Sequence, residues 1–324
     1  MMSWRAAAIL ISLISTMQIV GQGVVVFEGP MFSTNFGTNR TVRIYLPPSY
    51  GREPARRFPV LYLHDGQNAF TTVGTNVAFG WGNWELDKTV GELCRSGRME
   101  EIIMVAVDCS AERYLEYRGP ACRYEEAALK ALPHPPPAPG DNSRYDKYSR
   151  FLIEELKPRM DRDYRTRPGP ADTGLMGSSM GGICSLALAW ERPDVFGKAA
   201  SLSGAFWVEQ TNFLSTVLRT WIAKPKGVRI YLDSGVCDFS GGDDGRSNTD
   251  GVATELKRIG WKEGVDLERY TDLNPLTEVE LERSGLRRDK WKGAQTSQHN
   301  EFYWRMRAWR PLVFLFPPDK ALIK

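Results

Sequence analysis

Histidine is scarce in this chain of 324 residues, with only His64, His134 and His299. Any chemistry that needs an imidazole must therefore draw on one of three positions. Cysteine is also sparse: Cys94, Cys109, Cys122, Cys184 and Cys237 form an odd, scattered set. That excludes a disulfide framework and offers no metal-ligand spacing. Cys109 and Cys122 are close enough in sequence to bridge in an exported protein, though nothing in the sequence requires it. Cys184 lies on an expected helix and reads as a small core residue. Charge of one sign is lacking too, since 42 basic residues against 39 acidic leave a net charge of +3. That balance speaks against nucleic acid as a partner. There is no internal repeat and no strongly biased tail.

What is present begins with "MMSWRAAAILISLISTMQIVGQG". One arginine, an apolar run from Ala6 to about Val20 and small residues at Gly21 and Gly23 resemble a secretory signal peptide. The run falls short of the roughly 20 residues of a spanning helix. A cleaved signal over 1–23 is the expectation, leaving one domain over 24–324, secreted or periplasmic, with no stable membrane span. No cysteine follows the apolar run, which argues against a lipid-anchored N-terminus.

The stretch "GLMGSSMGGICSLALAW" contains the pattern G-x-S-x-G, with Gly177 and Gly181 two residues either side of Ser179. In a sharp strand-to-helix turn those flanking positions nearly touch, and the serine oxygen is lifted clear of the backbone. Centring the turn on Ser178 would crowd Met176 against Met180, so Ser179 is the candidate nucleophile. The apolar, alanine-rich segment that follows reads as a buried helix ended by Pro193.

Around this motif, apolar strands alternate with helical spacing. "VVVFEGPMF", "TVRIYLPPSY", Val60–Leu63, "EIIMVAV", a weak "ADTGLM", "GKAASL", "GVRIYLDSG" and "VDLERYTDLN" read as strands. "WELDKTVGELCRSG", "YDKYSRFLIEELKPRMDRDY" and "ATELKRIG" read as helices. The rhythm predicts an α/β fold, a mostly parallel central sheet with helices on both faces. Ligands then bind at the carboxyl ends of the strands, here "HDGQ", "GSSMGG", "SGAFW" and "SGVCD". Two segments break the rhythm: the proline-rich Ala128–Arg144, expected as a surface loop, and the charged Asn274–Gln298, placed just before His299.

An activated serine needs a base. In sheets of this kind the triad order is serine, acid, histidine, which leaves His299. His134 sits among prolines in "LPHPPPA", and His64 is better placed to brace the "HDGQ" turn. The acid must then lie between Ser179 and His299 past a strand end, where "YLDSGVCD" offers Asp233 and Asp238. Oxyanion donors are expected at the backbone N–H of Met180 and of Gln67, with Gly66 letting the chain bend. The acidic "DFSGGDDGRSNTD" resembles a calcium loop only loosely, because position six from Asp238 is Asp243 rather than glycine. No metal or cofactor is expected.

With these residues in place the sequence resembles the esterase D-like branch of α/β-hydrolases, which includes feruloyl and acetyl-xylan esterases, siderophore esterases, S-formylglutathione hydrolases and mycolyltransferases. The match runs from about Thr41 to Phe316 through "VRIYLPPSY", "PVLYLHDGQNAF", "RYLEY", "GSSMGG", "YLDSGVCD" and "HNEFYWRMRAW". The resemblance implies a serine esterase acting through an acyl-enzyme. It assigns the triad acid to Asp238 through the spacing from Gly235, the base to His299 with Trp304 following, and an oxyanion donor to Gln67. It gives Arg113 and Glu116 a bracing role. In some feruloyl esterase relatives a disulfide links the nucleophile and histidine regions, but Gln298 and Asn300 flank His299 here. Trp81, Trp84, Phe206 and Trp207 are candidate substrate-contacting aromatics. The implied partner is a small-molecule or polysaccharide ester, feruloyl or acetyl, or a siderophore. An acyltransferase would use the same triad with water excluded. A non-catalytic binding protein would be expected to have lost part of the triad.

Overall fold

The protein is described by a computed structural model covering residues 23–119, 143–206, 213–222 and 227–318. The expected signal segment up to residue 22, nearly all of the proline-rich stretch, His134, Cys122 and Trp207 lie outside the described residues. Eight strands form one sheet in the order β1-β2-β4-β3-β5-β6-β7-β8. They are β1 Val24–Ser33, β2 Thr38–Leu46, β3 Val60–Leu63, β4 Ile103–Val107, β5 Thr173–Ser178, β6 Lys198–Leu202, β7 Arg229–Ser234 and β8 Leu267–Thr271. β1 and β2 pair antiparallel with each other, and β2 pairs antiparallel with β4. From β4 to β8 every pairing is parallel. This is the α/β-hydrolase arrangement expected from the alternating pattern.

The weak strand before Ser179 shows why local propensity is a poor guide here. Thr173–Ser178 has no β-branched run, yet all six residues are buried between β3 and β6. Its small residues suit a central position flanked on both sides, because burial rather than propensity decides a central strand. Two apolar clusters cover the two faces of the sheet. One gathers Phe151, Ile183, Leu186 and Leu256 with Val60, Val105 and Leu175. The other gathers Val90, Leu93, Leu312 and Leu315 with Leu61, Met104 and Met176. The side chains of each strand alternate between these clusters, as the strand period of two requires.

The helices that matter for the site are α1 Leu86–Arg95, α2 Arg113–Tyr117, α3 Ser143–Arg150, α4 Lys157–Asp163 and α5 Met180–Glu191. A π-helical turn over Phe151–Leu156 joins α3 to α4. Ser143 and Arg144, placed in the proline-rich loop by sequence, open α3 instead. Next come α6 Arg246–Ile259, α7 Glu278–Arg283, α8 Trp291–Thr296, α9 Glu301–Arg307 and α10 Trp309–Leu315. α7 and α8 belong to the charged segment before His299. They carry a small core of their own, in which Leu281, Leu286 and Ala294 pack on Phe302 and Tyr303. A capping box between Thr277 and Glu280 fixes the start of α7. Among the described residues no helix is long and apolar enough to cross a membrane.

Candidate active site

Ser179 stands between β5 and α5 with φ 54° and ψ −121°. A side chain is rarely held there unless the surroundings over-determine it. They do: Ser179 donates its backbone N–H to Leu202 O at 2.9 Å, and its carbonyl accepts from Ala205 N at 3.1 Å. Glycine at 177 is required by contact with Gly181. A Cβ on Gly177 would lie 2.7 Å from the carbonyl carbon and oxygen of Gly181. The turn has the geometry of a nucleophile elbow, centred on Ser179.

His299 precedes α9, and its Nδ1 lies 2.7 Å from Oδ1 of Asp244. The carboxylate that holds the imidazole is therefore Asp244 and not Asp238. The loop after β7 leaves the sheet, turns tightly, and returns. Asp238 caps the outward turn, where Oδ1 accepts from Ser240 N at 2.8 Å, Ser240 Oγ at 2.6 Å and Gly242 N at 2.9 Å. Partial burial opposes its ionisation, but these bonds prevail and hold the carboxyl below the usual range. Asp244 comes at the return, in the left-handed region at φ 55° and fully buried. Its Oδ2 accepts from Ser203 Oγ at 2.7 Å and from the backbone N–H of Gly235. Asp243 faces elsewhere and caps α6 through Ser247 N at 3.0 Å.

The Ser203 hydroxyl has its proton direction fixed by its neighbours. Its oxygen accepts from Trp304 Nε1 at 3.0 Å and from Arg307 Nη2 at 2.5 Å, so its own proton points to Asp244. Arg307 also donates through Nε to Asp233 at 3.0 Å and lies 3.7 Å from Asp244. Asp233 is consequently part of the scaffold. Burial pushes its carboxyl up to about 6, with the Arg307 charge opposing.

The turn after β3 is built differently from the sequence expectation. Asp65, at φ 57° and ψ 48°, takes the left-handed bend that was assigned to Gly66. Gly66 is needed for close approach instead, since a Cβ there would sit 2.7 Å from the carbonyl carbon of Ala106 in β4. Asp65 tolerates its conformation because Arg113 grips both carboxylate oxygens at 2.7 Å. Burial opposes ionisation of Asp65, but the Arg113 pair keeps its carboxyl below the ordinary range. The Gln67 side chain is pinned, its Oε1 accepting from Cys109 N at 2.9 Å. The Gln67 and Met180 N–H groups both lie in the opening turn of a helical segment, where no intrahelical acceptor exists. Glu116 pairs with Arg40 and accepts from Ser110 Oγ at 2.9 Å, so it braces the neighbouring loop. His64 is buried with Nδ1 2.9 Å from Tyr148 Oη, and burial lowers its pKa to about 4.

Ser179 and His299 line one cavity of about 890 Å³ together with Gln67, Trp81, Glu301 and Trp304. A smaller recess of about 330 Å³ is lined by the same pair with Tyr114, Met180 and Asp238. Phe239 and Phe79 stand at the cavity rim, 81% and 95% exposed. Of the aromatics singled out by sequence, Trp81 lines the cavity. Trp84 and Phe206 are core residues: Trp84 packs on Trp304 with centroids 5.9 Å apart, and Phe206 is fully buried. The α7–α8 segment supplies Gly293, Thr296 and Ser297 to the cavity wall.

The eight-stranded sheet, with the turn at Ser179 and the His299–Asp244 pair, has the α/β-hydrolase fold. The family model described as "Putative esterase" matches residues 33–263, and the chain belongs to this family of ester hydrolases. Among curated proteins it is similar to an endo-1,4-beta-xylanase/feruloyl esterase of Xylanibacter ruminicola, 23% identical over 241 residues. That match covers 71% of this chain and only 26% of the relative. A solved ferulic acid esterase superposes with a TM-score of 0.62 at 16% identity, covering 91% of this chain and 98% of the other. An enterobactin esterase from Shigella flexneri gives 0.60 at 15% identity, over 90% of this chain and 58% of the other.

Proposed function

We propose that the protein cleaves carboxylic esters through an acyl-enzyme on Ser179, with His299 as base and Asp244 as the triad acid. The observation that carries this reading is the 2.7 Å contact between His299 Nδ1 and a fully buried Asp244, in the cavity that Ser179 lines. Asp244 keeps the Nδ1 proton on its own side, so Nε2 is left as the acceptor for the Ser179 proton. The serine oxygen then bonds to the ester carbonyl carbon, and the resulting oxyanion takes hydrogen bonds from the N–H groups of Gln67 and Met180. His299 returns the proton to the leaving alcohol as the C–O bond breaks. Water, deprotonated by the same imidazole, releases the acid and restores Ser179.

The ester proposed is an acyl ester of a sugar or polysaccharide, feruloyl or acetyl, or a siderophore ester, met outside the cytoplasm after removal of the N-terminal segment. Support comes from the cavity's aromatic wall and from relatives whose names include feruloyl and enterobactin esterases. The volume falls within the range of small-molecule sites. The test is hydrolysis of p-nitrophenyl acetate by the purified protein beside Ser179→Ala, followed by methyl ferulate and acetylated xylose. Activity lost in the variant supports the reading. Equal activity in the two proteins refutes it.

A further inference from the structure

Glu301 is a carboxyl group in the active-site cavity for which the triad mechanism has no use. It opens α9 two residues after His299, half-buried, and its Oε1 accepts from Asn68 Nδ2 at 3.1 Å. Asn68 itself follows Gln67, the proposed oxyanion donor. The carboxyl and amide therefore link the two walls that hold the reacting centre.

The charges around them are otherwise settled. Arg113, the arginine of the cavity lining, is engaged by both oxygens of Asp65. An anionic substrate group would meet a cation already neutralised and a second carboxyl, Glu301. Two indole rings share the cavity with uncharged polar groups of Thr296, Ser297 and Asn300: Trp304 lines it with its ring 5.0 Å from and edge-on to the His299 imidazole, and Trp81 lines it as well. A carboxyl and an amide beside aromatic faces suit a group that offers hydroxyls for hydrogen bonds and C–H surface for packing.

The leaving alcohol must lie on the histidine side, because His299 hands it a proton. Glu301 shares that wall. Resting on the serine esterase reading above, we propose that Glu301, supported by Asn68, is a specificity-determining residue that hydrogen-bonds a free hydroxyl on the alcohol half of the ester. The substrate's alcohol is thereby a neutral, hydroxyl-bearing compound rather than a simple alkyl or an anionic one. Burial, with neighbouring Asp65 assisting, pushes the Glu301 carboxyl up to about 7, so near neutrality it can either donate to or accept from such a hydroxyl.

The experiment compares kcat/KM for glycerol monoacetate and propyl acetate, which share the acyl group and the three-carbon alcohol but differ in free hydroxyls. Wild type should prefer the glycerol ester by about tenfold or more, since a site built to hydrogen-bond a substrate hydroxyl discriminates against the analogue lacking it. Glu301→Leu should bring the ratio of the two kcat/KM values to within about threefold of one, and Glu301→Gln should retain part of the preference. A fall of the same factor on both esters in Glu301→Leu marks a structural role and overturns the proposal. So does a wild-type ratio near one, or no hydrolysis of glycerol monoacetate by a protein active on p-nitrophenyl acetate. If wild type and Ser179→Ala are equally active on p-nitrophenyl acetate, the esterase reading itself fails and this proposal falls with it.

Discussion

Replacing Asp244 by asparagine tests the triad geometry, because the surroundings dictate how the new amide must lie. Two donors point at Oδ2 of Asp244: the Ser203 hydroxyl at 2.7 Å and the Gly235 N–H. The asparagine carbonyl oxygen will take that position to satisfy them. Its NH2 then faces His299 Nδ1, where Oδ1 sat at 2.7 Å. A donor facing Nδ1 drives the ring proton to Nε2, and an imidazole with Nε2–H cannot accept the Ser179 proton. The corresponding change in a serine protease triad lowers kcat by roughly 10⁴. At about 1.36 kcal/mol per tenfold that is roughly 5.4 kcal/mol of transition-state stabilisation. Asp238→Asn removes a charge from a partly buried turn, where the amide oxygen can still accept from Ser240 and Gly242, and should leave kcat within about threefold. The assay is kcat for p-nitrophenyl acetate in both variants, with circular dichroism confirming that each is folded. If Asp238→Asn is the inactive variant while Asp244→Asn stays near wild type, the assignment of the acid is refuted.

Other outcomes follow from the same contacts. Ser203→Ala removes the acceptor for both Trp304 Nε1 and Arg307 Nη2, and should lower stability by about 1–3 kcal/mol in urea unfolding while also reducing kcat. Trp84→Ala should cost about 3–5 kcal/mol of stability, because the ring is buried against Trp304. Trp81→Ala should instead show itself mainly in KM for a bulky ester. His64 is held neutral by burial, with a folded pKa of about 4 against 6.5. Its stabilising contribution is therefore complete above pH 6.5 and is lost as pH falls to about 4. Urea midpoints of wild type and His64→Gln measured from pH 7.5 to 4 should converge over that window. A constant gap between the two would contradict it.

Much of the sheet was legible in the sequence because burial on both faces leaves near-continuous apolar runs such as Val60–Leu63 and Ile103–Val107. Ser179 was legible because only glycine fits at position 177, and His299 because so few histidines compete. Asp244 was not. The family resemblance assigned the acid to Asp238 through its spacing from Gly235, but that carboxylate is consumed by its own turn. The available signal was the pair Asp244-Gly245 directly before a helix, both residues left-handed at φ 55° and 64°. A chain that returns to the sheet through such a bend can aim a side chain inward. Trp84 and Phe206 misled for a related reason. Their loops run past the site, but their rings turn into the core, and side-chain direction in a loop has no period from which to read it. Glu301 was hidden inside a motif read only for its histidine and tryptophan.

The account's central claim is that Ser179 alone carries the activated oxygen. Labelling the purified protein with a fluorophosphonate and mapping the adduct by mass spectrometry tests it most directly. The predicted result is one phosphonyl group on Ser179, absent in Ser179→Ala, formed at least a hundredfold more slowly in Asp244→Asn, and formed at the wild-type rate in Asp238→Asn. An unlabelled wild-type protein, or an adduct on any other residue, would contradict the account.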